Sequence, residues 1–202
     1  MHQERLEMKL MTKKSRDIVD LIDSQVIAAI SDPSQIETAV QSQCNVAFLL
    51  TGDICTLNQL VEKLQDGGMA VFIHLDLIEG LKSDKKAVDY IAENIKPEGI
   101  ITTKPFLIKY ANTVGLITIQ RLFLLDTTAL EKGIQMIQSS KPDAIEMLPG
   151  IIPKVVDRIA SEYEIPIITG GLIETKEEIM TSLEAGALAT SVGRTSLWNL
   201  DL

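Results

Sequence analysis

The stretch Pro166-Ile-Ile-Thr-Gly-Gly171 and its echo Ala189-Thr-Ser-Val-Gly-Arg194 decide the fold. Each is a short apolar, β-branched run that stops at glycine, and an amphipathic segment of helical length, Ile173–Ala185, separates them. A run that is apolar on both sides reads as a buried parallel strand. Strand, glycine, helix, and the same again is the closing pattern of a (β/α) barrel, where the loops after the last two strands often form a phosphate site. Glycine has no Cβ, so backbone N–H groups there can approach an anion closely. The N-terminus of the following helix adds partial positive charge. Gly170, Gly171, Ser191 and Gly193, with the N–H groups of Arg194 and Thr195, are therefore the candidate phosphate cradle. On the plainer reading, these glycines only turn the chain from strand to helix.

The same rhythm runs back through the chain. Strands are expected at Val26–Ile30, Val46–Leu50, Met69–Leu75, Gly99–Thr102, Leu116–Gln120 and Ala144–Met147, ahead of the two closing ones. Between them, Ser31–Ser34 caps a helix through Val40, and the helix Leu57–Leu64 stops at Gly67-Gly68. Further helices are expected at Lys85–Asn94, Lys104–Val114, Thr127–Ser139 and Pro153–Tyr163, with a short last one anchored by Leu197 and Trp198. Eight alternations at intervals of about 20–25 residues predict an α/β fold, a single (β/α)8 TIM-type barrel over residues 24–202. Leu6, Leu10, Ile18, Leu21 and Ile22 have helical spacing and place an N-terminal lead-in helix or tail in residues 1–23. Its Lys13-Lys14-Ser-Arg16 cluster reads as a solvated helix face.

The 202 residues suffice for one domain with a full core. No apolar run approaches the roughly 20 residues of a membrane helix. The charged start lacks the apolar core of a signal peptide. Cys44 and Cys55 have neither CxxC spacing nor histidine neighbours, so they read as packing residues in a reducing compartment, with the cytoplasm as the expected location. The net charge of −9 argues against a broadly basic nucleic-acid surface; any such surface must be a local patch.

In this fold chemistry collects at the C-terminal ends of the strands. Strand alternation puts His74 and Asp76 on one side of the third strand, where they either contact a polyol ligand or satisfy loop N–H groups. Gln120 and Arg121 follow the fifth strand and Glu146 lies near the end of the sixth. Arg121 is suited to gripping an anion with two parallel hydrogen bonds, or to pairing with Glu146, and both readings can hold together. A single barrel histidine excludes a two-histidine metal centre, and no paired acid/base set or nucleophile elbow is legible. The residues describe a receptor for a small phosphorylated polyol more clearly than a reaction, with no catalytic residue, metal or cofactor assigned.

Several blocks are more specific than the fold. His74-Leu-Asp-Leu-Ile-Glu-Gly80, Ile119-Gln-Arg-Leu-Phe-Leu-Leu-Asp126, Ile145-Glu-Met-Leu-Pro-Gly-Ile-Ile-Pro153, Gly170-Gly-Leu-Ile173 and Thr190-Ser191, with Leu197-Trp198, together resemble the glycerol uptake operon antiterminator regulatory proteins. The resemblance runs from about Ser24 to Trp198. It implies a cytoplasmic bacterial regulator that responds to glycerol 3-phosphate, acts on the leader mRNA of glycerol-utilisation genes and prevents premature termination. Carried onto this chain, it sets the phosphate at Gly170, Gly171, Ser191, Gly193 and Arg194, and the glycerol end near His74, Asp76, Arg121 and Glu146. Ser191-Val-Gly-Arg194 departs from the family, which has a second hydroxyl residue and an Asn there. RNA binding follows from the resemblance alone, since no RNP-type aromatic run, KH loop or basic stripe is present. The local lysines that would serve it are Lys82, Lys85, Lys86, Lys104 and Lys109. Homo-oligomerisation is left open. The competing reading is a small barrel enzyme acting on a triose or glycerol phosphate, with His74 or Glu146 as base.

Overall fold

Eight parallel strands follow one another around a closed barrel: Val26–Ile30 (β1), Val46–Leu49 (β2), Ala70–His74 (β3), Gly99–Thr102 (β4), Ile117–Phe123 (β5), Ala144–Leu148 (β6), Ile167–Gly170 (β7) and Ala189–Val192 (β8). β8 pairs with β1, which closes the ring. The computed structural model describes residues 17–202. Its α-helices are Ile18–Leu21 (α1), Ile36–Val40 (α2), Leu57–Asp66 (α3), Lys85–Tyr90 (α4), Pro105–Thr113 (α5), Thr127–Ser140 (α6), Pro153–Glu162 (α7) and Lys176–Glu184 (α8). None of them is long and apolar enough to cross a membrane.

Each strand is buried on both faces because it has apolar neighbours on both. Ile27, Phe48, Phe72, Ile101, Ile119 and Ile168 fill the barrel, with Ala144 and Ala189 where space is short. The Phe48 and Phe72 rings meet edge to face, with centroids 5.8 Å apart. The alternate residues, such as Ile30, Leu49, Val71, Ile73 and Ile100, pack outward against the helices. Burying each such side chain contributes about 1.5–3 kcal/mol. Ile18 of α1 is buried with the interior set and closes the barrel floor. Asn45 holds it there, donating to the Leu21 carbonyl at 2.7 Å and accepting from the N–H of Asp23 and Ser24.

The sequence-based boundaries shift where a local cap or a long-range pair overrides the pattern. The lead-in helix expected in residues 1–23 is described only over α1; its earlier part, with Lys13, Lys14 and Arg16, lies outside the described residues. β5 runs on to Phe123, so Gln120 and Arg121 lie within the strand and do not follow it. β3 ends at His74, and Leu75–Leu77 form a 3-10 turn, so His74 and Asp76 do not alternate along one strand. The expected helix over Lys85–Asn94 widens after Tyr90, and the Lys96 N–H reaches back to the Ile91 carbonyl. The helix expected from Ile173 begins at Lys176 instead. Gly171 and Leu172 have φ of 74° and 61°, and a capping box between Thr175 and Glu178 sets the start.

Candidate functional site

Alternation along the strands fixes what lines the C-terminal mouth. Two residues beyond the interior Phe72, Ile119, Ala144, Ile168 and Ala189 come His74, Arg121, Glu146, Gly170 and Ser191. Five strands thus deliver one inward layer that is polar on top of an apolar core. By the same alternation Gln120 and Thr102 point out of the barrel: Gln120 donates to the Thr102 carbonyl and accepts from Ser140 of α6.

Arg121 and Glu146 are register partners on β5 and β6, and Arg121 Nε donates to Glu146 Oε2 at 2.5 Å. The other carboxylate oxygen, Oε1, accepts from Ser191 Oγ at 2.8 Å. A continuous chain from β5 through β6 to β8 results, and its residues are buried. Gly170 leaves room for it: a Cβ there would lie 2.2 Å from Ser191 Oγ and 3.2 Å from Glu146 Oε1.

His74 completes the layer and is the anomaly in it. The imidazole is 2% exposed, and neither Nδ1 nor Nε2 has a hydrogen-bond partner. Among the described residues no other buried side-chain nitrogen or oxygen is left in this state. Burial lowers its pKa to about 4, helped by the nearby Arg121 charge and opposed by Asp76. The ring is therefore neutral near pH 7, with one nitrogen able to donate and the other to accept.

Asp76 satisfies a loop N–H, as one of its two readings expects. Its carboxylate accepts from Thr103 N–H at 2.8 Å, from the hydroxyls of Thr102, Thr103 and Ser83 at 3.0 Å, and lies 3.4 Å from Lys104 Nζ. Burial pushes its pKa up, but these hydrogen bonds outweigh burial and hold it below the ordinary carboxylate value. It ties the β3 and β4 loops together.

The loops after β7 and β8 have different demands on glycine. Gly171 sits at φ 74°, a conformation other residues seldom adopt. At Gly193 a Cβ would meet nothing nearer than the Ala29 carbonyl at 3.8 Å, so packing does not require glycine there. Among the described residues no backbone acceptor takes the N–H of Gly171, Gly193 or Arg194. The Arg194 side chain is exposed and lies 3.3 Å from Glu174 in the preceding loop. The Glu178 N–H near the start of α8 is taken by Thr175, so the expected contribution of that helix N-terminus is partly used internally.

Two backbone bonds stitch the loops beyond the strand ends, Leu124 N–H to the Leu148 carbonyl and Gly150 N–H to the Gly171 carbonyl. The expected RNA lysines are spread over α4, α5 and their preceding loops. Lys86 pairs with Asp89, Lys85 lies over the Tyr110 ring at 5.0 Å, Lys104 faces Asp76, and Lys82 and Lys109 are exposed. The sequence reading sets Thr102 and Thr103 at this rim but misses their pairing with Asp76, and it misses Ser83 and two exposed phenylalanines, Phe106 and Phe123. The unbroken apolar run Leu122–Leu125 was a signal for the second, since it outlasts the buried part of its strand.

Comparison with known proteins places the chain in a family and matches its fold. The family model for the glycerol-3-phosphate responsive antiterminator matches residues 26–198. The crystal structure of the glycerol uptake operon antiterminator regulatory protein from Listeria monocytogenes str. 4b F2365 is 37% identical, with a TM-score of 0.85 over 87% of this chain and 95% of that one. A glycerol uptake operon antiterminator-related protein from Thermotoga maritima MSB8 is 34% identical, with a TM-score of 0.77 over 86% of this chain and 96% of its own. The uncharacterised protein YgcP of Escherichia coli (strain K12) is 34% identical over 180 residues, covering 89% of this chain and 94% of that protein. With the matched segment reaching from the first strand to Trp198, this chain belongs to the glycerol-3-phosphate responsive antiterminator family.

Proposed function

We propose that the C-terminal mouth binds glycerol 3-phosphate and that its occupancy controls binding to the leader mRNA of glycerol-utilisation genes in the cytoplasm. The observation that carries this reading is the unpartnered His74 imidazole beside the Arg121–Glu146–Ser191 chain. A buried polar group without a partner costs about 1–3 kcal/mol, and a bound hydroxyl relieves that cost. The glycerol end then lies between His74 and the Arg121–Glu146 pair. Its phosphoryl group reaches the amides of Gly171, Gly193 and Arg194, with Gly170 and Ser191 below it. In this reading Asp76 holds the mouth in shape and does not touch the ligand.

Glu146 has both oxygens engaged, so it is a poor general base and a good fixed acceptor for a hydroxyl proton. We therefore read the protein as one that binds its effector without transforming it, with the phosphate enzyme as the competitor. Titration calorimetry with glycerol 3-phosphate, followed by NMR of the recovered ligand, separates the two. Binding with unchanged ligand is expected; turnover would establish the enzyme, and absence of binding would remove the effector reading. A crystal soaked with glycerol 3-phosphate and showing density away from the β7 and β8 loops would move the phosphate site.

A further inference from the structure

The exposed large hydrophobic residues are not scattered. Of the ten on the described surface, seven, Ile54, Leu77, Phe106, Phe123, Leu125, Ile151 and Leu172, stand at or just beyond strand ends, around the mouth. Two are aromatic rings, one following β4 and the other ending its neighbour β5. Thr102 of β4 is the register partner of Gln120 of β5, and Phe106 and Phe123 come shortly after that pair. Each ring is about half exposed.

The surroundings of Phe106 hold several lysines, interleaved with Asp76 and Asp89. Lys104 precedes Phe106 at the cap of α5, and Lys109 is exposed one turn further on. Phe106 and Tyr110 share a helix face, being four residues apart. Lys85 lies over the Tyr110 ring, which brings its ammonium group along that face. On a chain whose net charge is −9, Phe106 and Tyr110 thus stand beside Lys85, Lys104 and Lys109. Such a pairing fits unpaired nucleotides, whose bases stack on rings while cations meet the phosphates.

We propose that Phe106 and Phe123 are stacking platforms for unpaired bases of an RNA strand whose phosphates are met by Lys85, Lys104 and Lys109. This inference rests on the RNA-regulator reading above and assigns that reading a surface. It also joins the surface to the ligand. Phe123 is on the inward side of β5, two residues beyond Arg121, and it faces Leu148 as Arg121 faces Glu146. A ligand held by Arg121 and Glu146 lies directly beneath the Phe123 side of the rim.

The test uses the full chain with saturating glycerol 3-phosphate. Fluorescence anisotropy follows binding to a labelled single-stranded leader RNA of glycerol-utilisation genes and to the same RNA annealed to its complement. Phe106→Ala and Phe123→Ala are each expected to raise Kd for the single strand by roughly 5- to 150-fold, the range that base–aromatic stacking gives. Phe106→Trp is expected to retain affinity, and Phe106→Ala to bind glycerol 3-phosphate as the parent does. Lys109→Ala is expected to lower the salt slope of single-strand binding by about 0.7. Unchanged RNA affinity in both alanine variants, with the parent binding, would overturn the assignment and leave the RNA reading standing. Failure of the parent to bind the RNA would overturn the RNA reading itself. Self-association of the parent that Phe106→Ala abolishes, with RNA affinity unaffected, would give the rings to a second copy of the chain and also overturn the proposal.

Discussion

Arg121 Nε and Glu146 Oε2 meet at 2.5 Å inside the barrel, on residues that are 8% and 1% exposed. A pair this deep behaves differently from a surface ion pair. Exposed pairs contribute at most about 1 kcal/mol. Removing one member of a buried pair leaves a charge without solvent or partner and costs about 3–5 kcal/mol. Glu146→Ala is therefore expected to lose about that much stability in urea unfolding. Glu146→Gln, which keeps shape and one acceptor, is expected to lose less while still abolishing glycerol 3-phosphate binding in calorimetry. Equal stability loss in both variants would mean that the charge alone, and neither packing nor the retained acceptor, is what Glu146 supplies.

Gly170 and Gly193 make contrasting substitutions. At Gly170 a Cβ would collide with Ser191 Oγ, so Gly170→Ala is expected to displace Ser191 from Glu146 and destabilise the protein by about 1–3 kcal/mol. At Gly193 the added methyl has open space, so Gly193→Ala is expected to keep its melting temperature. Its loss of ligand affinity, of about tenfold or more, would report the methyl standing where the phosphoryl group approaches. Full affinity in Gly193→Ala would take that amide out of the cradle.

His74 makes stability depend on pH. Its folded pKa, about 4, lies below the ordinary 6.5, so the unfolded chain takes up the proton first. The contribution of neutral His74 is complete above about pH 6.5, declines as pH falls and is spent by about pH 4. Its full size is about 3 kcal/mol. Asp76, whose pKa is also lowered, adds loss in the same direction at acid pH. Urea unfolding at pH 7 and pH 4.5 is expected to show this decline in the parent and a flatter profile in His74→Phe. Matching profiles in the two proteins would mean that His74 is not protonation-limited.

Asp76 predicts a local effect. Asp76→Ala removes the acceptor shared by Thr102, Thr103 and Ser83, and leaves Lys104 without its partner. Amide hydrogen exchange is expected to accelerate at Thr103 and through the β3 and β4 loops, with the β6–β8 strands unaffected. Unchanged protection at Thr103 would mean that the turn holds itself.

The barrel was legible because its strands are short, apolar on both faces and bounded by glycine, proline or a cap. β1 and β4 fall where the pattern places them, over Val26–Ile30 and Gly99–Thr102. β5 was cut short because a charged residue, Arg121, ordinarily ends a buried run; its balancing carboxylate comes from another strand, which no local window contains. His74 and Asp76 seemed to alternate because nothing in the sequence marks the 3-10 turn at Leu75. The pairing of Arg121 with Glu146 was among the expectations, since both were placed on adjacent strand ends. The isolation of His74 was not, because it depends on what every neighbouring strand fails to offer. Composition likewise hides the rings at the rim: 4% aromatic content says how many there are and nothing about where they face.

The bonds from Leu124 to Leu148 and from Gly150 to Gly171 carry the barrel's ladder past the strands into three successive loops. Those loops are thereby a continuous plate and not independent flaps. Backbone contact thus runs sideways from Gly171 through Gly150 and Leu148 to the residue after Phe123. Were the proposed effector to displace Gly171, that seam would pass the shift to Phe123 without a hinge.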